Sequence, residues 1–201
     1  MSLALAWESK TPLKGYSLNT CYSSGGKVYF ASDNGSLMQD ADLKEMQITG
    51  EGSTVAIHAM FGLGIQEIYA VGELGTILKR NVNTWEILTQ NELTNRALRA
   101  IWGIDEPGLG KHLYAVGDEG VVLHSTDGRT WQVVDIATKQ HLRGVSGAYK
   151  DAEFGLRVTV VGEDGFIKEY DHSKNTWTLI PTSPDVGDLH SVWSYYDTVQ
   201  D

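Results

Sequence analysis

Short hydrophobic runs alternate with polar turns along most of the chain. Valine, isoleucine, tyrosine, threonine and tryptophan fill the runs, and several runs stop at glycine, an acidic residue and a second glycine. This composition is typical of strands joined by tight turns. The longest segment compatible with a helix, 40–47, is short and lacks a clear period of 3.6 residues. The pattern therefore predicts an all-β fold.

One of these runs recurs at a regular interval. Its copies are 28–35, 68–75, 113–120 and 158–165, and their last glycines are separated by 40, 45 and 45 residues. A Thr-Trp pair follows the last three copies, at Trp85, Trp131 and Trp177. A segment that opens with leucine or isoleucine precedes each copy, and a fifth such segment follows the last. These segments begin at Leu18, Ile57, Leu98, Leu142 and Leu189.

The repeat predicts a β-propeller. A period near 40–45 residues is shared by helical arrays and by propeller blades of four strands, and the strand composition favours blades. Four strands of about six residues and four turns of about five account for about 44 residues. We expect one domain over 1–201, with strands A to D in four complete blades at 16–50, 55–91, 97–138 and 141–184. The predicted strand A core positions are Leu18, Ile57, Leu98, Ile101, Leu142, Val145, Leu189 and Val192.

The two ends of the repeat are incomplete. Segment 3–10 has the pattern of a strand D, and 188–197 that of a strand A, so we expect them to share a fifth blade without its middle strands. Alternatively, the natural chain continues past Asp201, a partner chain adds strands, or the two segments pair directly. Because open strand edges recruit other chains, this blade is the predicted contact surface for a protein partner.

The charge and cysteine content narrow the function further. The chain has 16 basic and 26 acidic residues, a net charge of −10, which disfavours nucleic acid and anionic membranes as partners. Because Cys21 is the one cysteine, no intrachain disulfide can form. The equivalent strand A positions in the other units are apolar, which predicts that Cys21 lies in the core. The sequence shows no signal peptide and no apolar span, which predicts a cytoplasmic protein without membrane insertion. A component of a viral or secretion particle fits the same pattern.

Two motifs resemble known propeller repeats. Segment 125–131, Ser-Thr-Asp-Gly-Arg-Thr-Trp, resembles the turn of Asp-box propellers with one residue fewer. Segment 114–120, Tyr-Ala-Val-Gly-Asp-Glu-Gly, is similar to repeats of photosystem II assembly-factor propellers and their bacterial and phage relatives. The resemblance implies the fold and no particular activity, because family Asp-box turns are structural. The arginine patch of the assembly factors is matched here by Arg99 and Arg143 alone.

The second position of strand A is the candidate ligand-binding site. By the period, its side chains form a ring near the mouth of the central channel: Asn19, His58, Arg99, Arg143 and His190. One interpretation is an anion or acidic-peptide site, in which the two arginines supply forked donors. The simpler interpretation is that these residues pair with turn acids, Arg99 with Asp118 and Arg143 with Glu163.

Other chemistry has little support in the sequence. The histidines lack metal-ligand spacing, each acidic turn has too few oxygen ligands for calcium, and no nucleophile motif is present. We therefore predict no metal, no cofactor and no catalytic residues. Two columns of aromatic residues predict packing between blades, or alternatively a sugar-binding platform at a rim. These columns are Tyr22, Phe61, Trp102 and Trp193 in strand A, and Trp7, Trp85, Trp131 and Trp177 in strand D.

The sequence thus predicts a non-enzymatic interaction module that binds a protein partner, within a larger assembly. The alternatives are a carbohydrate-binding propeller of lectin or adhesin type on a phage or cell surface, and a glycoside hydrolase.

Overall fold

The computed structural model describes residues 17–39 and 44–195. Within these ranges the protein is all-β, and its only helical elements are three 3₁₀ turns of three residues each. The prediction of an all-β chain is therefore confirmed for the described residues. The N-terminal segment 3–10, including Trp7, and residues 196–197 of the predicted fifth blade lie outside them.

The strands form four sheets in chain order. Sheet 1 contains β1 (Leu18–Ser24), β2 (Lys27–Ser32), β3 (Leu37–Gln39) and β4 (Lys44–Glu45). Sheet 2 contains β5 (Gln47–Thr49), β6 (Ile57–Gly64), β7 (Glu67–Gly72), β8 (Ile77–Asn81) and β9 (Thr84–Thr89). Sheet 3 contains β10 (Leu98–Glu106), β11 (Gly110–Gly117), β12 (Val122–Ser125) and β13 (Gln132–Val133). Sheet 4 contains β14 (Leu142–Tyr149), β15 (Leu156–Gly162), β16 (Ile167–Asp171) and β17 (Thr176–Leu179).

Apart from β5, each sheet is an antiparallel meander in which every strand pairs with the next one in the chain. The predicted strands A are β1, β6, β10 and β14, and the predicted strands B are β2, β7, β11 and β15. The register of sheet 3 places Ile101 opposite Ala115 and Ala115 opposite Leu123. These three apolar side chains therefore lie in one row across the sheet.

Strand β5 is an exception to this simple order. The repeat assigns 47–49 to the first unit, but these residues pair in parallel with β9 of sheet 2, and Ile48 lies opposite Trp85. The extended segment that begins as β4 thus passes from the edge of sheet 1 to the edge of sheet 2. This pairing covers the outer edge of β9, which would otherwise expose unpaired N–H and C=O groups.

The hydrophobic core lies between successive sheets and consists of three clusters. At each boundary, a tyrosine of strand B makes an edge-to-face ring contact with a tryptophan of the following sheet. The ring centroids are 6.5 Å apart for Tyr29–Trp85, 6.3 Å for Tyr69–Trp131 and 6.5 Å for Tyr114–Trp177. Trp85 and Trp131 are buried. The described members of the strand D aromatic column therefore pack between sheets, which agrees with the first of the two sequence interpretations.

The strand A aromatics also link successive sheets. The ring of Phe61 lies 6.5 Å from that of Tyr22 and 6.5 Å from that of Trp102, centroid to centroid. Sheet 4 breaks this series, because Ser146 occupies the equivalent position and is buried.

Three predictions about the ends of the array are wrong. Leu18 and Cys21, predicted to be in the core, are exposed, because strand β1 has no described sheet on its outer side. Residues 189–195, predicted to be a strand A, form no strand, and Leu189 and Val192 are only half-buried. A strand A pairs with the strand B that follows it in the chain, and no strand B follows this segment among the described residues.

We predict that Leu98→Ala lowers the free energy of unfolding by about 2–5 kcal/mol, because it leaves a cavity in a fully buried position. Leu18→Ala is the matched control in the same column. Leu18 is 46% exposed, so we expect a change below about 0.5 kcal/mol. Urea denaturation measures both, and equal midpoints for the two variants would contradict the placement of the core.

Candidate functional site

The turn between strands B and C positions the acidic residues. In sheet 3, the Asp118 N–H donates to the Ala97 carbonyl oxygen at 2.9 Å, just before strand A begins. The same bond links Glu73 to Ala56 at 2.9 Å and Glu163 to His141 at 3.1 Å. A side chain on Gly117 would collide with the Ala97 carbonyl, which explains the glycine before each acid. The turn acid is therefore held beside the start of strand A.

A β-bulge positions the basic residues. The register between strands A and B shifts at the second residue of strand A in all four sheets, at Asn19, His58, Arg99 and Arg143. A bulge leaves one residue without a ladder partner and re-aims its side chain. The candidate ring residues of strands β1, β6, β10 and β14 are thus the bulged residues.

Side chains from three sheets form a continuous charged arc, which we define as His58, Glu73, Arg99, Asp118, Arg143 and Glu163. Arg99 donates to both carboxylate oxygens of Asp118, from Nε at 3.1 Å and from Nη2 at 2.6 Å. Arg143 Nη2 donates to Glu163 Oε1 at 2.5 Å. Both pairs predicted from the sequence are therefore present within their own sheets.

The arc also contains contacts between sheets. Arg143 Nη1 lies 3.3 Å from Asp118 Oδ1, and Arg99 Nη1 lies 3.4 Å from Glu73 Oε1. His58 Nε2 lies 2.8 Å from the same Glu73 oxygen and 2.9 Å from Arg99 Nη1. Each arginine thus contacts the acid of its own sheet and the acid of the preceding sheet.

The other candidate ring residues lie outside the arc. Asn19 donates from Nδ2 to the Ile57 carbonyl oxygen at 2.9 Å, so it connects sheets 1 and 2 without a charge. His190 is exposed on the segment that follows sheet 4. The structure therefore brings together three of the five predicted residues: His58, Arg99 and Arg143.

The electrostatics of the arc favour internal pairing. Hydrogen bonding to Asp118 raises the pKa of Arg99 above its ordinary value, against the effect of burial. Burial would raise the pKa of Asp118, but hydrogen bonds from Arg99 and His141 lower it below the ordinary value. Three carboxylates face two guanidinium groups, so an added anion would have to compete with carboxylates already bonded to them. The arc is well suited to holding sheets 2, 3 and 4 in register.

Glu67 forms a second polar centre, which the sequence analysis did not identify. Its carboxylate accepts hydrogen bonds from Tyr69 at 2.6 Å, Lys79 at 2.8 Å and Lys111 at 2.7 Å. Burial alone would raise the pKa of Glu67, but the bonds from Lys111, Lys79 and Tyr69 lower it to about 2. Lys111 belongs to sheet 3, so this carboxylate also ties two sheets together.

Three histidines cluster between sheets 3 and 4. His112 Nδ1 lies 3.0 Å from His124 Nε2, and the ring centroids of His112 and His172 are 4.9 Å apart. Burial, together with the neighbouring His112 and His172, lowers the pKa of His124 to about 4. Burial and His172 also lower the pKa of His112. Sequence spacing did not reveal the cluster, because strand pairing and sheet stacking bring the three residues together.

No group of three or more His, Cys, Asp or Glu side chains in 17–39 and 44–195 is arranged to hold a metal ion. No helix in the same part of the chain is long and apolar enough to cross a membrane.

Comparisons with known proteins show the fold. No protein-family model matches the chain, and no curated protein matches it. The WD40 β-propeller domain of Doa1 superposes with a TM-score of 0.60 at 12% identity, over 85% of this chain and 55% of that one. The computationally designed Ika8 protein superposes with a TM-score of 0.63 at 16% identity, over 87% of this chain and 51% of that one.

A third solved structure is YCF48 bound to D1 peptide. It superposes with a TM-score of 0.58 at 16% identity, over 92% of this chain and 62% of that one. The chain thus spans between half and two thirds of the length of these structures. In its described residues, the protein is an array of three four-stranded sheets and one five-stranded sheet, similar to the sheets of β-propellers.

We predict that Asp118→Asn lowers the free energy of unfolding by about 1–3 kcal/mol, because it removes the charge that Arg99 and Arg143 share. The neighbouring Glu119→Gln is the control. Glu119 pairs with Arg96 and its side chain is 48% exposed, so we expect a loss below about 0.5 kcal/mol. Thermal or urea denaturation at neutral pH compares the two, and equal losses would argue against a structural role for the arc.

The histidine cluster predicts a dependence of stability on pH. The pKa of His124 falls from 6.5 to about 4 on folding, so the unfolded state binds more protons between these values. The free energy of unfolding should therefore fall by about 1–2 kcal/mol from pH 7 to pH 5, allowing for partial exposure. Urea midpoints at the two pH values measure this fall.

His124→Gln should remove most of the fall between pH 7 and pH 5, because glutamine does not titrate. His190→Gln, at an exposed position outside the cluster, should retain it. A fall that persists unchanged in His124→Gln would show that other groups cause it.

Proposed function

We propose that the protein is a non-enzymatic β-propeller interaction module that binds a protein partner within a larger assembly. The propeller-like array supports this proposal, because the fold presents rigid edges and loops for contact. The charged arc supports it indirectly, since its arginines are bonded to carboxylates of the chain itself. Among proteins with this fold, YCF48 is bound to D1 peptide in its solved structure.

The observation that carries the proposal is the segment 188–195, which we call the terminal strip. Hydrogen bonds hold it against sheet 4: Leu189 N–H donates to the Gly162 carbonyl at 2.9 Å, and Ser194 N–H donates to Ser146 Oγ at 2.9 Å. In addition, the Asp164 N–H donates to Asp188 Oδ1 at 3.1 Å. The strip occupies the place of a following strand A, but it joins no described sheet.

The terminal strip also exposes two aromatic side chains. Trp193 is 78% exposed and Tyr195 is 63% exposed, and their rings stack with centroids 4.9 Å apart. In the other sheets this aromatic column packs against the next sheet, as Tyr22 does against Phe61. Exposed tryptophan and tyrosine side chains are frequent anchors of protein interfaces.

We infer that the partner is an extended segment of another protein that adds a strand beside the terminal strip. Strand addition satisfies free N–H and C=O groups, and the aromatic pair supplies apolar contact area. The strip and the partner segment would then be two strands of a fifth blade.

The double variant Trp193→Ala/Tyr195→Ala tests this proposal. We expect it to lose the partner that the wild-type protein retains in a native pull-down read by mass spectrometry. With the identified partner in purified form, the affinity should fall at least tenfold, as expected for two aromatic anchors. The fold should stay intact, because both side chains are exposed.

The control is Val133→Ala, which removes a 56% exposed apolar side chain from sheet 3. It should bind the partner as the wild type does. Equal binding by the double variant and the control would contradict the role of the terminal strip. Turnover of chromogenic glycosides by the wild-type protein would contradict the non-enzymatic function itself.

A further inference from the structure

A tyrosine of strand B lies at each boundary between sheets, and at the first two boundaries a cation of a strand C lies over its ring. At the first boundary this cation comes from the following sheet, and at the second it comes from the tyrosine's own sheet. Between sheets 1 and 2, the guanidinium carbon of Arg80 lies 5.0 Å from the ring centroid of Tyr29. Between sheets 2 and 3, the ammonium of Lys79 lies 5.2 Å from the ring centroid of Tyr69. The negative face of an aromatic ring attracts a cation at these distances.

Oxygen acceptors complete both cation positions. Arg80 donates to the carbonyl oxygens of Ile65 at 2.9 Å and Val82 at 2.6 Å. Lys79 donates to Glu67 at 2.8 Å. The repeated geometry thus combines an aromatic face with oxygen atoms, which is an environment suited to a positively charged nitrogen.

The third boundary lacks such a cation. His124 pairs with Tyr114 across neighbouring strands of sheet 3, and Lys79 pairs with Tyr69 in the same way in sheet 2. Tyr170 pairs with Trp177 in sheet 4, and its equivalent in sheet 2 is Arg80, which pairs with Trp85. His124 stacks on Tyr114 with ring centroids 4.4 Å apart. Within 17–39 and 44–195, no lysine or arginine lies over the Tyr114 ring. Lys168 of β16 donates instead to the Ile136 carbonyl.

An open crevice of about 280 Å³ lies at this boundary. Its lining residues are Tyr114, His124, Val134, Asp135, Tyr170, Asn175 and Trp177. The ring of Tyr170 lies 5.2 Å from that of Trp177 at 35°, and the ring of Tyr114 lies 6.5 Å from that of Trp177 at 80°. The crevice therefore has aromatic walls of different orientation, of which Tyr170 and Trp177 are only half-buried.

The lining of the crevice contains one acidic side chain, that of Asp135, and no lysine or arginine; Lys168 lies outside the lining, bonded to the Ile136 carbonyl. Asp135 supplies a carboxylate, whose Oδ1 accepts the Ala137 N–H at 2.8 Å. His124 is uncharged at neutral pH, because its pKa is lowered to about 4. Asn175 adds an amide oxygen, which accepts the Tyr170 hydroxyl at 2.8 Å. Aromatic faces, a carboxylate and an amide oxygen together favour a cation over an anion.

We propose that this crevice binds an external alkylammonium group, of the lysine or N-methylated amine class, on Tyr114, Tyr170 and Trp177 with Asp135 as its counter-ion. The ligand lies beside His124 and Tyr170, the residues that stand where sheet 2 has Lys79 and Arg80. The net charge of −10 adds a long-range attraction for such cations. The crevice lies between sheets 3 and 4 and is independent of the terminal strip, so the two proposals fail separately.

The test is a titration of the whole protein followed by ¹H–¹⁵N NMR. The reporter is the indole N–H signal of Trp177, which a Trp177→Phe variant assigns. The probes are choline and N-acetyl-lysine methylamide, and the neutral control is 3,3-dimethylbutan-1-ol, which has the shape of choline without its charge. We expect saturable shifts with the two cations, with dissociation constants on the order of millimolar, and no saturable shift with the alcohol.

Variants of the lining separate its parts. Tyr170→Leu should weaken choline binding about 5- to 30-fold through loss of an aromatic wall. Asp135→Asn should weaken it about 2- to 5-fold, and it should fold normally because Asp135 is exposed. Glu92→Gln is the charge-matched control at an exposed site between sheets 2 and 3, and it should bind choline within about twofold of the wild type.

Three results would overturn the proposal. The first is an equal response to choline and to the neutral alcohol, which would indicate a purely apolar crevice. The second is a saturable response to methyl glucoside in the absence of any response to the cations, which would indicate a sugar site. The third is the absence of a saturable response to choline up to about 50 mM at constant ionic strength.

Discussion

The need to cover both faces of each sheet is the constraint on which the rest of the structure depends. A single four-stranded sheet of this chain presents apolar residues on two faces, so it is stable only between neighbours. The three core clusters accordingly lie between sheets, and each contains the same edge-to-face contact of a strand B tyrosine with a tryptophan of the next sheet. Such aromatic pairs add about 0.5–1.5 kcal/mol beyond the area they bury.

The polar groups follow from the same stacking. Successive sheets bring equivalent positions close together, so an arginine of one sheet reaches the turn acid of the sheet before it. Arg143 contacts both Glu163 and Asp118 in this way. Lys111 of sheet 3 likewise reaches Glu67 of sheet 2. Arg99, Arg143 and Glu67 thus each have charged partners in two sheets, so the polar network links successive sheets as the apolar core does.

The functional hypotheses concern places where the repeated pattern is interrupted. At the terminal strip, Trp193 belongs to an aromatic column whose other members pack between sheets, yet it is 78% exposed. At the third boundary, His124 and Tyr170 stand where sheet 2 has Lys79 and Arg80. A position that departs from its equivalents in a repeat makes different contacts, and both functional hypotheses concern such positions.

The sequence by itself determined the strands, their order and the pairing of Arg99 with Asp118 and Arg143 with Glu163. Those features follow from short-range patterns: strand composition, turn glycines and a period that aligns equivalent residues. The repeat period did not predict every feature. It did not show that β5 pairs with β9 of the next unit, because the composition of residues 47–49 predicts a strand but not the strand with which it pairs. It also placed Leu18 and Cys21 in the core, although burial depends on a neighbouring sheet and not on the residue's own column.

Only the tertiary structure decided which side chains meet across a boundary. The histidine cluster joins residues of two sheets, and His112 and His172 are 60 positions apart in the chain. The crevice at the third boundary likewise combines Asp135, which follows sheet 3, with Trp177 of sheet 4. A repeat period states which residues are equivalent, but the distance between two side chains depends on how the sheets stack. That stacking depends on the packing of whole faces, which no short segment of the sequence contains.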